Sequence, residues 1–187
     1  MYPPAAMGSK AGKDATPGER GRQEGLTHLD ASGRARMVDV GGKEITARRA
    51  VAEGHVRFSA QAFALLREQR LAKGDALAVA RLAGVQAGKR TADWIPLCHV
   101  VPLDHLDVEI VLEAAAQEAR VTATAAARWT TGVEMEALVA VSAACLALYD
   151  MAKAVDRGIE IGGIRLLEKE GGRSGAWRRG ADGGGGG

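Results

Sequence analysis

The segment LDVEIVLEAAAQEARVTATAAAR (residues 106–128) decides the fold class. Its two halves, 106–115 and 119–128, are both β-rich, and a short polar link separates them. Two such runs joined by a few residues are typical of a β-hairpin. The segment therefore predicts a pair of neighbouring antiparallel strands.

Helical and strand patterns continue on both sides of this hairpin. Gly74 marks a helix stop upstream, and Pro96 limits a second helix. The remaining predicted elements are a strand at 50–59, helices at 60–75 and 76–95, a long helix at 132–156 and a strand at 157–172. The order strand, helices, strand, strand, helix, strand is the split βαβ pattern of ferredoxin-like α+β sandwiches. We therefore predict an antiparallel sheet with helices on one face.

The long helix is apolar around its whole circumference. After Glu136 the chain carries no charge until Asp150. A helix of this kind is buried on more than one side. In so small a domain the second cover is most easily another subunit, so the sequence predicts an oligomer.

Composition excludes several classes of protein. The 25 basic and 23 acidic residues give a net charge of +2, whereas a nucleic-acid-binding domain is typically strongly basic. The two cysteines, Cys98 and Cys145, form no CxxC motif, so neither a disulfide framework nor a zinc knuckle is indicated and a reducing cytoplasm is expected. The longest uncharged stretch, 137–149, would span only ~20 Å as a helix, so no membrane span is predicted.

The chain ends differ in composition from its middle. Residues 1–25 lack the apolar centre of a secretory signal and predict a disordered N-terminal extension. Residues 26–175 predict one folded domain, and 176–187 a flexible Gly-rich tail.

Polar groups interrupt the apolar sequence at five places: KGD (73–75), GKRT (88–91), LCH (97–99), TGVEME (131–136) and DMAK (150–153). GKRT is not a phosphate-binding P-loop, because only three residues separate Gly84 from Gly88 and Arg90 stands where Ser or Thr should hold magnesium. Lys89 and Arg90 are either phosphate-binding cations or part of a solvated helix end.

Two of these places, LCH and DMAK, each allow a structural and a functional interpretation. Cys98 and His99 are adjacent, so their side chains diverge, and with no third ligand in view zinc is not predicted. His99 is either an acid or base near neutral pH or a hydrogen-bonded loop histidine. Asp150 and Lys153 share a helix face. They form either a surface ion pair or, at the end of a buried helix, a functional pair with altered proton affinities.

The acids of TGVEME have structural explanations as well. Thr131 and Glu134 match a capping box. Glu136 is explained either by the helix dipole, which favours acids in a first turn, or by a role in a site.

Six motifs in this order resemble the MoaC family, cyclic pyranopterin monophosphate synthase. They are MVDV (37–40), KGD (73–75), AGVQAGKRT (83–91), IPLCH (95–99), TGVEMEAL (131–138) and YDMAKAV (149–155). The resemblance covers roughly residues 26–175 and implies a ferredoxin-like subunit in a homohexamer, a trimer of dimers with sites between subunits. It implies a cytoplasmic lyase of molybdenum cofactor biosynthesis that converts 3′,8-cyclo-7,8-dihydro-GTP into cyclic pyranopterin monophosphate and releases pyrophosphate. No cofactor, metal centre, nucleic acid or membrane is implied, and any magnesium requirement would follow the substrate triphosphate.

The resemblance also implies site residues. The catalytic positions are Asp150, Lys73, Lys153 and His99. The substrate-binding positions are Leu97, Cys98, His99, Met135, Glu136, Lys89 and Arg48, and Arg90 fits a triphosphate contact. Ring opening and closing needs proton donors and acceptors, and expulsion of pyrophosphate needs cations, which are the residue types present.

Three positions depart from the family pattern. Val100 stands where proline is usual, Thr130 where a basic residue is usual, and Arg173 where lysine is usual. The loss of a cation at position 130 supports a rival hypothesis, a non-catalytic nucleotide-binding module on the same scaffold. A purely structural oligomerisation domain is a third hypothesis, and the polar residues near element ends argue against it.

Overall fold

The computed structural model describes Arg34 and residues 36–180, and the residues from Arg36 onward belong to one compact unit. The predicted N-terminal extension, 1–25, lies outside the described residues. The elements are β1 (Thr46–Arg57), α1 (Ala60–Arg67), α2 (Ala76–Gly88), α3 (Thr91–Trp94), β2 (His105–Glu113), β3 (Glu118–Trp129), α4 (Glu134–Ala152), β4 (Glu160–Glu170) and β5 (Trp177–Arg178). The α+β class is confirmed, and the hairpin predicted from 106–128 is β2 and β3.

The five strands form one antiparallel sheet in the order β2-β3-β1-β4-β5. Alternate residues of β3, including Ala119, Val121 and Ala123, are fully buried, as expected for a strand with one covered face. Helix α4 contacts all of β1, β2, β3 and β4, and α2 contacts β2 and α4. The core therefore lies between the sheet and these two helices.

Two glycines allow α2 to approach α4 closely. A Cβ at Gly84 would lie 2.9 Å from the Ala140 carbonyl oxygen, and one at Gly88 would lie 3.0 Å from the Glu136 carbonyl oxygen. These distances leave no room for a side chain. Helix α2 therefore packs directly against α4 at Gly84 and Gly88, just before Lys89.

The two predicted helices at 60–75 and 76–95 were both too long. Helix α1 ends at Arg67, and the left-handed backbone of Gln69 and Gly74 forms the turns before α2. Asp75 begins α2 by accepting a hydrogen bond from the Ala78 amide. Helix α2 ends at Gly88, whose carbonyl accepts a hydrogen bond from the buried Thr91 hydroxyl, and the chain starts the short α3 there.

The predicted capping box at the start of α4 was wrong. The N-cap is Val133, and no side chain caps the helix. The Glu134 carboxylate lies against Gly132 instead of bonding a free amide. Thr131 and Glu134 therefore do not set the helix start.

Helix α4 is the central core helix. Among the described residues it is the one helix long and apolar enough to cross a membrane, with a mean hydropathy of 1.5. Most of that apolar window, 61%, is buried within the subunit. Its apolar surface is therefore used mainly for packing against the sheet and α2.

The described chain continues past the domain boundary predicted at residue 175. Trp177 and Arg178 form β5 and pair with Lys169 and Glu168 of β4. These two residues belong to the segment predicted as a tail, 176–187, and the part from residue 181 lies outside the described residues.

Candidate active site

Three charged side chains meet at the C-terminal end of α4. Lys73 Nζ donates hydrogen bonds to Asp150 Oδ2 at 2.6 Å and to the Asp150 main-chain oxygen at 2.8 Å. Lys153 Nζ lies 2.7 Å from Asp150 Oδ1. The turn between α1 and α2 brings in Lys73, whereas Asp150 and Lys153 lie three residues apart at the helix end. The structure thus assembles three predicted catalytic residues into one cluster.

Asp150 and Lys153 each stabilise the charged form of the other. Hydrogen bonds from Lys153 and Lys73 hold the pKa of Asp150 at about 2. The hydrogen bond to Asp150 raises the pKa of Lys153. Asp150 is therefore an anion and Lys153 a cation at neutral pH.

Glu136 marks a second group at the N-terminal end of α4. Its side chain is buried and lines a cavity of about 230 Å³ with Lys89, Arg90, His99 and Val100. Burial raises the pKa of Glu136 to about 7, and the nearby Glu134 charge adds to this shift. The carboxyl group can therefore gain or lose a proton near neutral pH.

His99 is held by the segment that precedes β1. Its Nε2 lies 2.8 Å from the Val38 carbonyl oxygen. A carbonyl oxygen can only accept, so Nε2 carries the proton and donates it. In the neutral ring Nδ1 is then the nitrogen that can take up a proton. The MVDV motif thereby orients the imidazole.

The rest of the LCH turn and Met135 are half-buried beside this group. Burial, followed by the charge of Glu136, raises the pKa of the Cys98 thiol. A thiol with a raised pKa carries little thiolate at neutral pH and is a poor nucleophile. Leu97, Cys98 and Met135 are therefore suited to contact a ligand through shape and apolar surface.

Arg48 lies in a third place, on the other side of the α4 start. Its guanidinium donates to the carbonyl oxygens of Trp129 and Thr130, each at 3.3 Å. It lines a cavity of about 820 Å³ that also contains Lys43, Lys169 and Arg173. Lys43 and Lys169 were not predicted as members of this group, because Lys43 precedes β1 outside any recognised motif and Lys169 lies on β4.

The predicted site residues therefore do not meet in one place within the subunit. Fourteen residues separate Glu136 from Asp150 on α4, which is about 21 Å along a helix. One small ligand cannot touch both ends. Within the described residues, no group of three His, Cys, Asp or Glu side chains is placed to hold a metal ion.

Comparison with known proteins gives one family. The model of the MoaC family matches residues 37–172. A cyclic pyranopterin monophosphate synthase from Cereibacter sphaeroides (strain KD131) is 57% identical over 157 residues, which cover 84% of this chain and 99% of that protein. Proteins of the same name from Chloroflexus aurantiacus (54% identity, 82% and 94% coverage) and Brucella ovis (55% identity, 81% and 92% coverage) are also similar.

Proposed function

This chain belongs to the MoaC family and is an enzyme, and we propose that it converts 3′,8-cyclo-7,8-dihydro-GTP into cyclic pyranopterin monophosphate with release of pyrophosphate. This reaction would place it in molybdenum cofactor biosynthesis. The observation that carries the proposal is the cluster of Asp150 with Lys73 and Lys153, three residues that the family resemblance assigns to catalysis.

The two ends of α4 offer complementary chemistry for this reaction. The Asp150 cluster supplies ammonium groups that can donate protons or stabilise developing negative charge. At the other end, the Glu136 carboxyl can exchange a proton near neutral pH, and the His99 imidazole lines the same cavity. The cavity at Arg48 adds cations of the kind that a triphosphate requires.

The distance between these groups favours a site shared between subunits. We propose that Glu136 of one subunit and Asp150 of another face the same substrate in a homohexamer arranged as a trimer of dimers. Exposed apolar side chains on the contacting helices support assembly, since Leu82 on α2 is 60% exposed and Leu146 on α4 is 54% exposed. The strand order also supports the proposed ferredoxin-like subunit, because β2-β3-β1-β4 is what a split βαβ pattern produces.

The proposal also covers the location of the enzyme and its need for cofactors or other partners. The enzyme would act in the cytoplasm without a cofactor, nucleic acid or membrane. Any magnesium would arrive with the substrate triphosphate.

A turnover assay tests the proposal. Purified protein mixed with the cyclic dihydro-GTP intermediate should release pyrophosphate and form a product that oxidises to a fluorescent pterin. Asp150→Asn should lose most of its activity and keep its assembly, whereas the matched control Asp107→Asn, at an exposed carboxylate on β2, should keep activity. Full turnover by Asp150→Asn would contradict the assignment of Asp150. Binding of the intermediate without turnover would instead support the rival nucleotide-binding module, which the missing cation at Thr130 favours.

A further inference from the structure

Both carboxylate oxygens of Asp150 and its main-chain oxygen contact a lysine ammonium group. Oδ1 meets Lys153, and Oδ2 meets Lys73. The main-chain oxygen of Asp150 also accepts from Lys73. The two ammonium groups are thus held on opposite oxygens of one carboxylate.

This arrangement makes Asp150 a poor proton acceptor. A general base works best when its pKa lies near the operating pH. The lysine hydrogen bonds hold the pKa of Asp150 at about 2, far below that range. Protonation would also remove the negative charge that holds the two ammonium groups.

The same arrangement keeps the lysines in place. Lys side chains are long and flexible, and both are substantially exposed here, so they need a partner to fix them. Lys153 is the C-cap residue of α4, where the helix dipole favours a cation.

We propose that Asp150 is a positioning residue that holds Lys73 and Lys153 side by side as ammonium groups, and that these lysines, not Asp150, exchange protons with the substrate. This inference rests on the proposed function for its catalytic part. The holding of the lysines is a property of the protein alone and can be tested without substrate.

The substrate-free test measures acetylation of individual lysines in the intact protein by mass spectrometry at mildly alkaline pH. Only the neutral amine reacts, so loss of the Asp150 charge should increase the rate at Lys153 by roughly two- to fivefold. Asp150→Asn should show this increase and Asp107→Asn should not, with the exposed Lys43 as an internal reference. An unchanged rate at Lys153 in correctly assembled Asp150→Asn would overturn the inference.

The pH dependence of turnover separates a positioning role from a proton-accepting one. If Asp150 acts through the lysines, the alkaline limb of kcat should move to lower pH in Asp150→Asn, and Asp150→Glu should restore part of kcat. If the alkaline limb stays fixed and Asp150→Glu restores nothing, Asp150 does not act through the lysines. Absence of wild-type turnover would overturn the proposed function and with it the catalytic part of the inference, whereas the acetylation result would still decide whether Asp150 holds Lys153.

Discussion

Gly84→Ala tests whether the contact between α2 and α4 is as tight as the structure shows. An added Cβ would lie 2.9 Å from the Ala140 carbonyl oxygen, 3.0 Å from Val108 Cγ2 and 3.3 Å from Ala144 Cβ. One of these atoms belongs to backbone, and they come from two different elements. Helix α2 therefore cannot relieve the contact by a simple slide.

Two opposing effects set the magnitude. Replacing Gly by Ala inside a helix gains about 0.8–1.0 kcal/mol of helix propensity. Adding a methyl group to a packed core costs typically 1–3 kcal/mol. We expect overpacking to win, with a net loss of about 1 kcal/mol and a fall in Tm of roughly 2–4 °C.

The assay is urea unfolding followed by circular dichroism, with all variants at the same protein concentration because the stability of an oligomer depends on concentration. Gln86 is exposed on the same helix, so comparing Gln86→Ala with Gln86→Gly measures helix propensity without packing. Subtracting that gain from the Gly84→Ala result isolates the packing cost. If Gly84→Ala is more stable than the wild type by the amount measured at Gln86, the close contact between the helices is refuted.

Three further predictions concern charged residues. The pKa of Glu136 is raised in the folded state from 4.5 to about 7, so its stabilising effect is present below pH 4.5 and is lost as pH rises through 7. Urea unfolding should show the wild type losing roughly 2–3 kcal/mol between about pH 5 and 8, and Glu136→Gln should lose this dependence; equal slopes would contradict it. Arg165→Met should destabilise by about 1–2 kcal/mol in the same assay, because it leaves the buried Glu53 carboxylate without its donors, whereas an unchanged midpoint would refute this. Mixed oligomers of Glu136→Gln and Asp150→Asn subunits should have a higher turnover than either variant alone, and mixed oligomers that show no gain would exclude a shared site.

Local patterns allowed much of the fold to be predicted. The hairpin was visible in 106–128 because two β-rich runs there are joined by a short polar link. The junction at Lys89 and Arg90 was missed because the helix break depends on a tertiary feature, the buried Thr91 hydroxyl bonded to the Gly88 carbonyl. The composition of this segment remains helical across the break.

The candidate site was predictable only where its residues are close in sequence or belong to a resembling motif. Asp150 and Lys153 could be paired from helical spacing alone. Lys73 lies 77 residues from Asp150, and its contact depends on how the turn before α2 packs against the end of α4. Lys169 was missed for the same reason, because it lies on β4, whereas Lys43 is close to Arg48 in sequence but belongs to no motif.

The two acids that bound the apolar part of α4 have opposite proton affinities because their surroundings differ. Asp150 is exposed and bonded to two ammonium groups, so its carboxylate is stabilised down to a pKa of about 2. Glu136 is buried without an ammonium partner of that kind, so its neutral form is favoured up to about 7. One end of the helix thus carries a fixed charge and the other a titrating acid, held about 21 Å apart by a rigid core element. A reaction that needs both a constant cationic field and a proton exchanged near neutral pH requires these ends together, and this is why we propose a site shared with a second subunit.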